Sequence, residues 1–360
     1  MIVRLKSPME NAKKPVRLNA ITIILVMGLI AFILYVYFYI NPSEVYDILS
    51  KTNLGYYVFA FVSYVFFAFF SSLVWHRLLS NLSIKVSKRK VLLFTWAGLF
   101  FDATIPQLGW SGEVSKTYLL AQDSRVDAGK IGASVVGQKL FTMTMTIIAL
   151  SLGLGLVLVN YSLPLMVTLL IATVLALSII ALSIVYYVSN KPKATAILLA
   201  WVIRIILFFR KRWNPENFKA KADDLLKEFH QSIHQLISKP RTLMQPIFFA
   251  IVSFICEISV IFLTFAALGF PVPVDKVLIV FTLTGTLQTV GLTFFGFPEL
   301  IMTVSFSALL IPAPLALSVT LLTRVVNLWF RLVVSYFALQ WAGIKIIRRT
   351  TKTKHELEQR

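Results

Sequence analysis

A single cysteine, Cys256, lies inside an apolar run, so no disulfide framework can form within one chain. Histidine is nearly as scarce: of four, only His230 and His234 stand one turn apart, and no third ligand is spaced to help them hold a metal. There is no P-loop, no G-x-S-x-G elbow, no H-E-x-x-H and no Cys/His zinc pattern. No Asp-x-Asp of the kind that holds a donor sugar occurs in the loops between apolar runs. These absences argue against the common hydrolase, nucleotide-binding and metal chemistries, and no cofactor is expected. The first apolar run is too long for a signal-peptide core and lacks a small-residue cleavage pattern, so it is expected to stay as an anchor. Charged residues make up only 14% of the chain, and no stretch is polar enough for a large soluble domain.

What the chain has is apolar surface: 58% of its residues are hydrophobic and 29 are Phe. Six runs, at 20–40, 54–79, 131–159, 164–189, 243–269 and 315–343, are long enough to cross a bilayer as helices. The net charge of +19 resembles a nucleic-acid footprint until it is mapped. With the N-terminus in the cytoplasm, the inner segments hold 29 of the 35 Lys and Arg, whereas the outer loops hold only Lys51 and Lys276. That asymmetry is the positive-inside signal. The expectation is a multi-pass plasma-membrane protein with both termini cytoplasmic. Its basic segments would face anionic lipid, and nucleic acid is excluded as a partner.

Two further apolar segments are broken. GLFFDATIPQLGWSGEVSKT, from Gly98 to Thr117, is interrupted at Pro106, Gly109 and Gly112 and then carries Glu113. GTLQTVGLTFFGFPELIMT, from Gly285 to Thr303, is interrupted at Gly291, Gly296 and Pro298 and then carries Glu299. Backbone that leaves a helix at membrane depth must be satisfied inside protein or a wet cavity. If the first segment crossed fully, the eleven-cation loop 190–242 would lie outside, so it is expected to dip from the cytoplasm and return. The second is expected to dip from outside, although two full spans there would keep the same parity. The halves also align: Glu113 and Glu299 are 186 apart, Ser134 and Ser318 are 184 apart, and Lys139 and Arg324 are 185 apart. The fold class expected is all-α, with six full transmembrane helices and two re-entrant hairpins in an inverted-topology repeat. Its parts are a basic N-terminus 1–19, a first repeat 20–160, a second repeat 163–343 and a basic tail 344–360. Within the second repeat, 190–242 is a cytoplasmic insertion, with an interfacial segment at 194–209 and an amphipathic helix at 216–239.

The candidate site consists of ionisable residues inside the apolar segments, which are costly there and functional candidates by default. Glu299 either caps the helix that Pro298 opens or faces a cavity as a site carboxylate. Glu113 either pairs with Lys116 on a helix surface or lines the path. Ser111 and Gly112 are candidates to present backbone N–H groups to a phosphate. Arg324 and Arg331 lie seven residues apart on one helical face, suited to bidentate phosphate contact, or else pair with Glu257 or Glu299. Glu257 is alone among apolar neighbours, as a partner for Arg331 or as a proton carrier. Lys139 is placed to snorkel to the interface. Asp102 is either a cap for freed backbone or a site residue.

The pattern Pro106-x-x-Gly109-x-x-Gly112-Glu113, followed by Ala133-Ser134-Val135-Val136-x-Gln138-Lys139, resembles the lysylphosphatidylglycerol synthase transmembrane region, also called the flippase-like domain family. The segment from Gly291 to Glu299, followed by Arg324, is similar to that family's second motif. The resemblance covers roughly residues 20–345. Trp110 and Ser111 replace part of a Gly-Gly pair, Lys116 stands where an Arg is common, and Gln138-Lys139 replaces Glu-Arg. Phe297-Pro298 alters the second loop. The resemblance implies a membrane domain that moves a lipid or lipid-linked headgroup between leaflets. In bifunctional members a soluble domain makes the aminoacylated lipid; with 17 residues after the last span, that activity is not expected here, and a separate enzyme making the lipid is an expected partner.

The leading reading is therefore a lipid flippase acting on a phospholipid or polyprenyl-linked headgroup. Two rivals remain at this point. An integral-membrane transferase acting on a lipid-linked sugar would need an acid or base near a leaflet surface, where the first outer loop offers Glu44 and Asp47. A proton-coupled small-solute carrier would use the same buried charges. The reading leans away from an enzyme.

Overall fold

The computed structural model describes residues 30, 33–105, 110–124, 126–161, 165–197, 200–201, 216–289 and 296–343. Among the described residues all regular structure is helical, with no strand. The helices are α1 (Pro42–Ser50), α2 (Leu54–Asn81), α3 (Lys88–Thr104), α4 (Ser111–Ser124), α5 (Ala128–Asn160) and α6 (Leu165–Asn190). Then follow α7 (Glu216–Ser238), α8 (Pro240–Ala267), α9 (Val274–Thr289), α10 (Phe297–Ala308) and α11 (Ala313–Gly343). Five of these, α2, α5, α6, α8 and α11, are long and apolar enough to cross a membrane. They match five of the six expected runs. Most of the sixth, 20–40, lies outside the described residues. Its end, 33–39, is helical, and Tyr35 and Val36 pack with Leu317 and Leu321. Both basic termini, 1–19 and 344–360, and most of the expected interfacial segment 194–209 also lie outside the described residues.

Local sequence sets the helix ends. Asn53 opens α2, its Oδ1 accepting from the backbone N–H of Gly55 at 3.0 Å and of Tyr56 at 3.3 Å. Pro240, Pro298 and Pro314 stand in the first turns of α8, α10 and α11, where a missing N–H costs nothing. Gly269 ends the turn after α8 with φ of 78°, a backbone conformation glycine adopts freely.

The frame is an antiparallel pair, α2 and α8. Contacts tie it from end to end: Asn53 N–H to Ala267 O at 2.7 Å, Ser63 Oγ to Cys256 O at 2.7 Å, Ser253 Oγ to Phe67 O at 3.1 Å and Asn81 Nδ2 to Thr242 O at 3.0 Å. Ala60 and Ala68 are fully buried in α2 and let the helices approach closely. Helix α5 runs antiparallel to α2, with Trp75 donating to Ser134 Oγ at 2.9 Å and Gln138 Nε2 to Ser71 O at 3.0 Å. Helix α11 runs parallel to α2, through Tyr57 Oη to Leu322 O at 2.8 Å and edge-on packing of Phe61 with Phe330. Within α11, Val325–Phe330 forms a π-helical turn.

Helices α3 and α4 form an antiparallel hairpin. Lys90 Nζ meets Asp123 Oδ2 at 2.7 Å at its base, and Gly98 packs on Gly112. A Cβ on Gly112 would lie 2.6 Å from the Gly98 carbonyl oxygen and run into Asp102. The base lies at the Asn81 end of α2, where His76 Nε2 reaches Val86 O at 3.1 Å. In the second half, α9 runs antiparallel to α5: Gly153 packs on Ile279, and Lys276 lies over the Tyr161 ring at 5.0 Å. Helix α10 runs antiparallel to α11, joined by Thr303 Oγ1 to Thr320 Oγ1 at 3.1 Å. Pro106, Gly109 and Gly291, the expected tips, lie outside the described residues.

The expected amphipathic helix is α7. Phe229, Ile233 and Leu236 pack into the cluster built on Trp75, Leu78 and Leu79. Leu225, expected on the same face, is 41% exposed. The Leu225 carbonyl instead abuts Gly129, the second residue of α5, and Lys130 pairs with Glu228 at 3.5 Å beside it.

Candidate functional site

Two acid–cation pairs stand at corresponding places in the two halves. Glu299 Oε1 accepts from Arg324 Nε at 2.6 Å. Glu113 Oε1 lies 3.7 Å from Lys139 Nζ. In each pair the acid opens the second helix of a broken segment and the cation sits 25 or 26 residues later in the following span. The carboxylates are held differently. Glu299 also folds back to accept the Gly296 N–H with Oε2 at 2.9 Å, so it caps α10 and pairs at once. Among the described residues, Glu113 Oε2 has no hydrogen-bond partner.

Several expectations are corrected here. Glu113 does not pair with Lys116 on a helix surface. Lys116 is 7% exposed, donates to Gln138 Oε1 at 3.0 Å and lies over the Trp75 ring at 5.3 Å. Three residues along α4 point the two side chains to different neighbours, and α5 supplies a partner to each. Lys139 does not snorkel; it turns inward to Glu113 and the Trp110 ring, 5.3 Å away. The Gly112 N–H is not open to a phosphate, because Asp102 Oδ1 accepts it at 2.6 Å, with Ser111 Oγ at 3.1 Å. Asp102 is thus the cap of α4. Arg324 is engaged by Glu299 rather than by Glu257.

Arg331 is placed otherwise. Among the described residues its Nε has no hydrogen-bond partner, nor do Asn327 Oδ1 and Thr323 Oγ1, which precede it at four-residue intervals in α11. Buried polar groups left unsatisfied are uncommon and point to water or a ligand. The π turn between Arg324 and Arg331 widens the helix and shifts the register, a feature that recurs at functional sites. Arg331 acts electrostatically on Tyr64, Asp102, Glu257 and Arg324. Lys139 acts on Asp102, Lys116 and Glu257. The cations Lys116, Lys139, Arg324 and Arg331 therefore share one interior band with the carboxylates of Asp102, Glu113, Glu257 and Glu299. Measured along α2, the band runs from Tyr57, beside Leu322, to Ser71, beside Gln138. That is about 20 Å at 1.5 Å per residue, centred near the middle of the helix.

Of the sequence candidates, Glu113, Lys116, Glu257, Glu299, Arg324 and Arg331 all fall in this band. Gly112, Gly296 and Pro298 form the close packing and the helix starts that hold its acids. Sequence reasoning missed Tyr64, enclosed between Phe330, Trp96 and Arg331, and named Gln138 only as a replacement in a motif, not as the residue that joins Lys116 to Ser71. A lone Gln beside Lys139 in an apolar run was the available signal for the second; a Tyr among many aromatics gave none for the first.

Comparison with known proteins finds relatives along most of the chain. The chain is similar to a UPF0104 membrane protein of Methanocaldococcus jannaschii, 24% identical over 327 residues covering 90% of this chain and 95% of that protein. A UPF0104 membrane protein of Methanothermobacter thermautotrophicus is 25% identical over 331 residues, covering 90% and 96%. One of Pyrococcus horikoshii is 20% identical over 311 residues, covering 85% and 92%. No solved structure matches the chain. Residues 20–335 match the lysylphosphatidylglycerol synthase TM region. With five apolar helices of spanning length and relatives that are membrane proteins, the chain is a polytopic integral membrane protein and belongs to the lysylphosphatidylglycerol synthase transmembrane-region family.

Proposed function

We propose that this protein moves a phospholipid or a polyprenyl-linked headgroup between membrane leaflets. The observation that carries this reading is the interior band of charges, which bridges the acid–cation pair of one half to that of the other. An isolated charge at bilayer centre costs about 2.5–3.5 kcal/mol on insertion scales. Eight ionisable groups kept within one interior band favour a path for a polar group over a scaffold.

In this reading the chain has six spans, and α3–α4 and α9–α10 are re-entrant hairpins that enter from opposite faces as an inverted repeat. Lys90 and Asp123 lie at one end of α2, and Lys276 and Tyr161 at the other, which supports that arrangement. The termini are cytoplasmic and the membrane is the plasma membrane. Arg331 takes the lipid phosphate, with Lys139, which acts on the same Asp102 and Glu257, as the second cation beside it. Glu113, with one oxygen unpartnered, takes a cationic headgroup or a proton. Glu299 and Arg324 hold each other and anchor α10 against α11. A separate enzyme supplies the lipid.

A photo-crosslinking residue at Asn327 tests the placement. In cells, ultraviolet light is expected to attach a membrane lipid at this position, and Arg331→Ala is expected to lower the yield severalfold. Equal yields in both backgrounds, or labelling no stronger than at lipid-exposed Trp341, would remove Arg331 from the path.

A further inference from the structure

A cavity of about 40 Å³ lies between α2, α5 and α8. Its polar lining is Ser71, Gln138, Thr142, Ser253 and Glu257. It has room for about one water molecule. Among the described residues Glu257 makes no hydrogen bond and no salt bridge, although it stands inside a predominantly apolar helix. Two of the lining hydroxyls have already given away their hydrogens: Ser253 Oγ donates to Phe67 O at 3.1 Å and Thr142 Oγ1 to Gln138 O at 3.3 Å. Ser71 Oγ accepts from Gln138 Nε2 at 3.0 Å. The cavity thus presents lone pairs, the Ser71 hydroxyl hydrogen and a carboxylate, a setting for a water that can pass a proton.

We infer that Glu257 takes up and releases one proton, and that this proton travels with an anionic lipid headgroup. The inference rests on the lipid-transport reading above. The charges that face Glu257 are Arg331 from α11 and Lys139 from α5, and Tyr64 faces it from α2. Among the described residues no charge from α7 or α9 acts on it. A metal cation fits poorly. Gln138 Oε1 is already held by Lys116, and a space of about one water leaves no room for the several oxygen ligands that an ion needs. A proton needs only one carboxylate oxygen and a water to deliver it.

Charge balance supplies the coupling. With all four acids ionised, Asp102, Glu113, Glu257 and Glu299 offset Lys116, Lys139, Arg324 and Arg331, and the band is neutral. A proton moving from water onto Glu257 leaves the band with one net positive charge. That is the charge a phosphodiester monoanion at Arg331 neutralises. Loss of the proton then leaves one net negative charge, which expels the phosphate and so restores the balance. Gln138 ties the cavity to the band mechanically, since one end touches the cavity wall at Ser71 and the other holds Lys116.

The purified full chain, wild type and Glu257→Gln, is studied first by pH-difference infrared spectroscopy. A carboxylic-acid band that titrates in wild type, is missing in Glu257→Gln and is shifted in Glu257→Asp is expected. No difference between wild type and Glu257→Gln at any pH overturns the inference. The same proteins are then placed in vesicles loaded with a pH dye and carrying fluorescent phosphatidylglycerol. A pH gradient is expected to speed wild-type leaflet exchange severalfold, with proton entry, and the stimulation is expected to fall to none in Glu257→Gln. Stimulation by a Na⁺ gradient and not by pH overturns the proton in favour of a metal cation. A titrating Glu257 band with no lipid exchange overturns the coupling and the lipid reading together, while leaving the proton site standing. Lipid exchange indifferent to pH overturns the coupling alone.

Discussion

Glu299 and Arg324 are locked by a 2.6 Å hydrogen bond, whereas Glu113 and Lys139, their counterparts in the first half, stand 3.7 Å apart. The difference has a local cause. Glu299 is fixed from both sides, by Arg324 on one oxygen and by the Gly296 N–H on the other. The corresponding cap in the first half is made by Asp102, which frees Glu113 from that duty. The two halves thus divide the same two tasks differently, holding a helix start and holding a cation.

Removing one member of a tight buried pair strands the other. Glu299→Ala is expected to cost about 3–5 kcal/mol, read as a large drop in melting temperature in detergent. Adding Arg324→Met should return part of that loss, because no unpaired charge remains. Equal destabilisation in the single and double variants would show that the pair is not what holds α10 to α11.

Glu113→Gln is expected to behave in the opposite way. Its pair is longer, one oxygen has no partner among the described residues, and Gln can still accept from Lys139, so melting should change less than for Glu299→Ala. Transport should fall at least severalfold. A variant that melts early and transports in proportion to the folded fraction would make Glu113 structural.

The first hairpin closes on two glycines. Gly112→Ala would drive a methyl group into Asp102 and the Gly98 carbonyl, and overpacking of this kind costs about 1–3 kcal/mol. Gly155 has open space around it, and Gly155→Ala should stay within about 1 kcal/mol of wild type. Thermal melting of both variants checks the contrast; equal effects would contradict the close packing.

Much of this was legible in the chain because bilayer physics writes itself into composition. Five spanning helices fall where 20-residue apolar runs predict them, and the amphipathic helix Glu216–Ser238 follows the spacing of Phe229, Ile233 and Leu236. The eight charges singled out in sequence lie in one band, since apolar surroundings mark most of them. Partner choice was not legible. Lys116 and Glu113 are one turn apart, yet each finds its partner on α5, and only the packing of α4 on α5 decides that. The π turn at Val325–Phe330 carries no sequence mark, so the relation of Arg324 to Arg331 could not be read from their spacing.

Orientation is testable apart from activity. In a Cys256→Ser background, single cysteines at Lys85 and Lys239 are expected to react with an impermeant maleimide only when inner faces are opened. Cysteines at Lys51 and Leu310 should react in intact cells. All four positions are exposed. Labelling of Lys85 or Lys239 from outside would invert the topology and with it the assignment of the two hairpins.

The most direct measurement is leaflet exchange of fluorescent phospholipids and polyprenyl-phosphate lipids in vesicles, comparing wild type with Arg331→Ala and protein-free controls. The account predicts faster exchange of at least one lipid with wild type and a return to the protein-free rate with Arg331→Ala. Exchange with wild type that matches protein-free vesicles for every lipid, or that Arg331→Ala leaves unchanged, would contradict it.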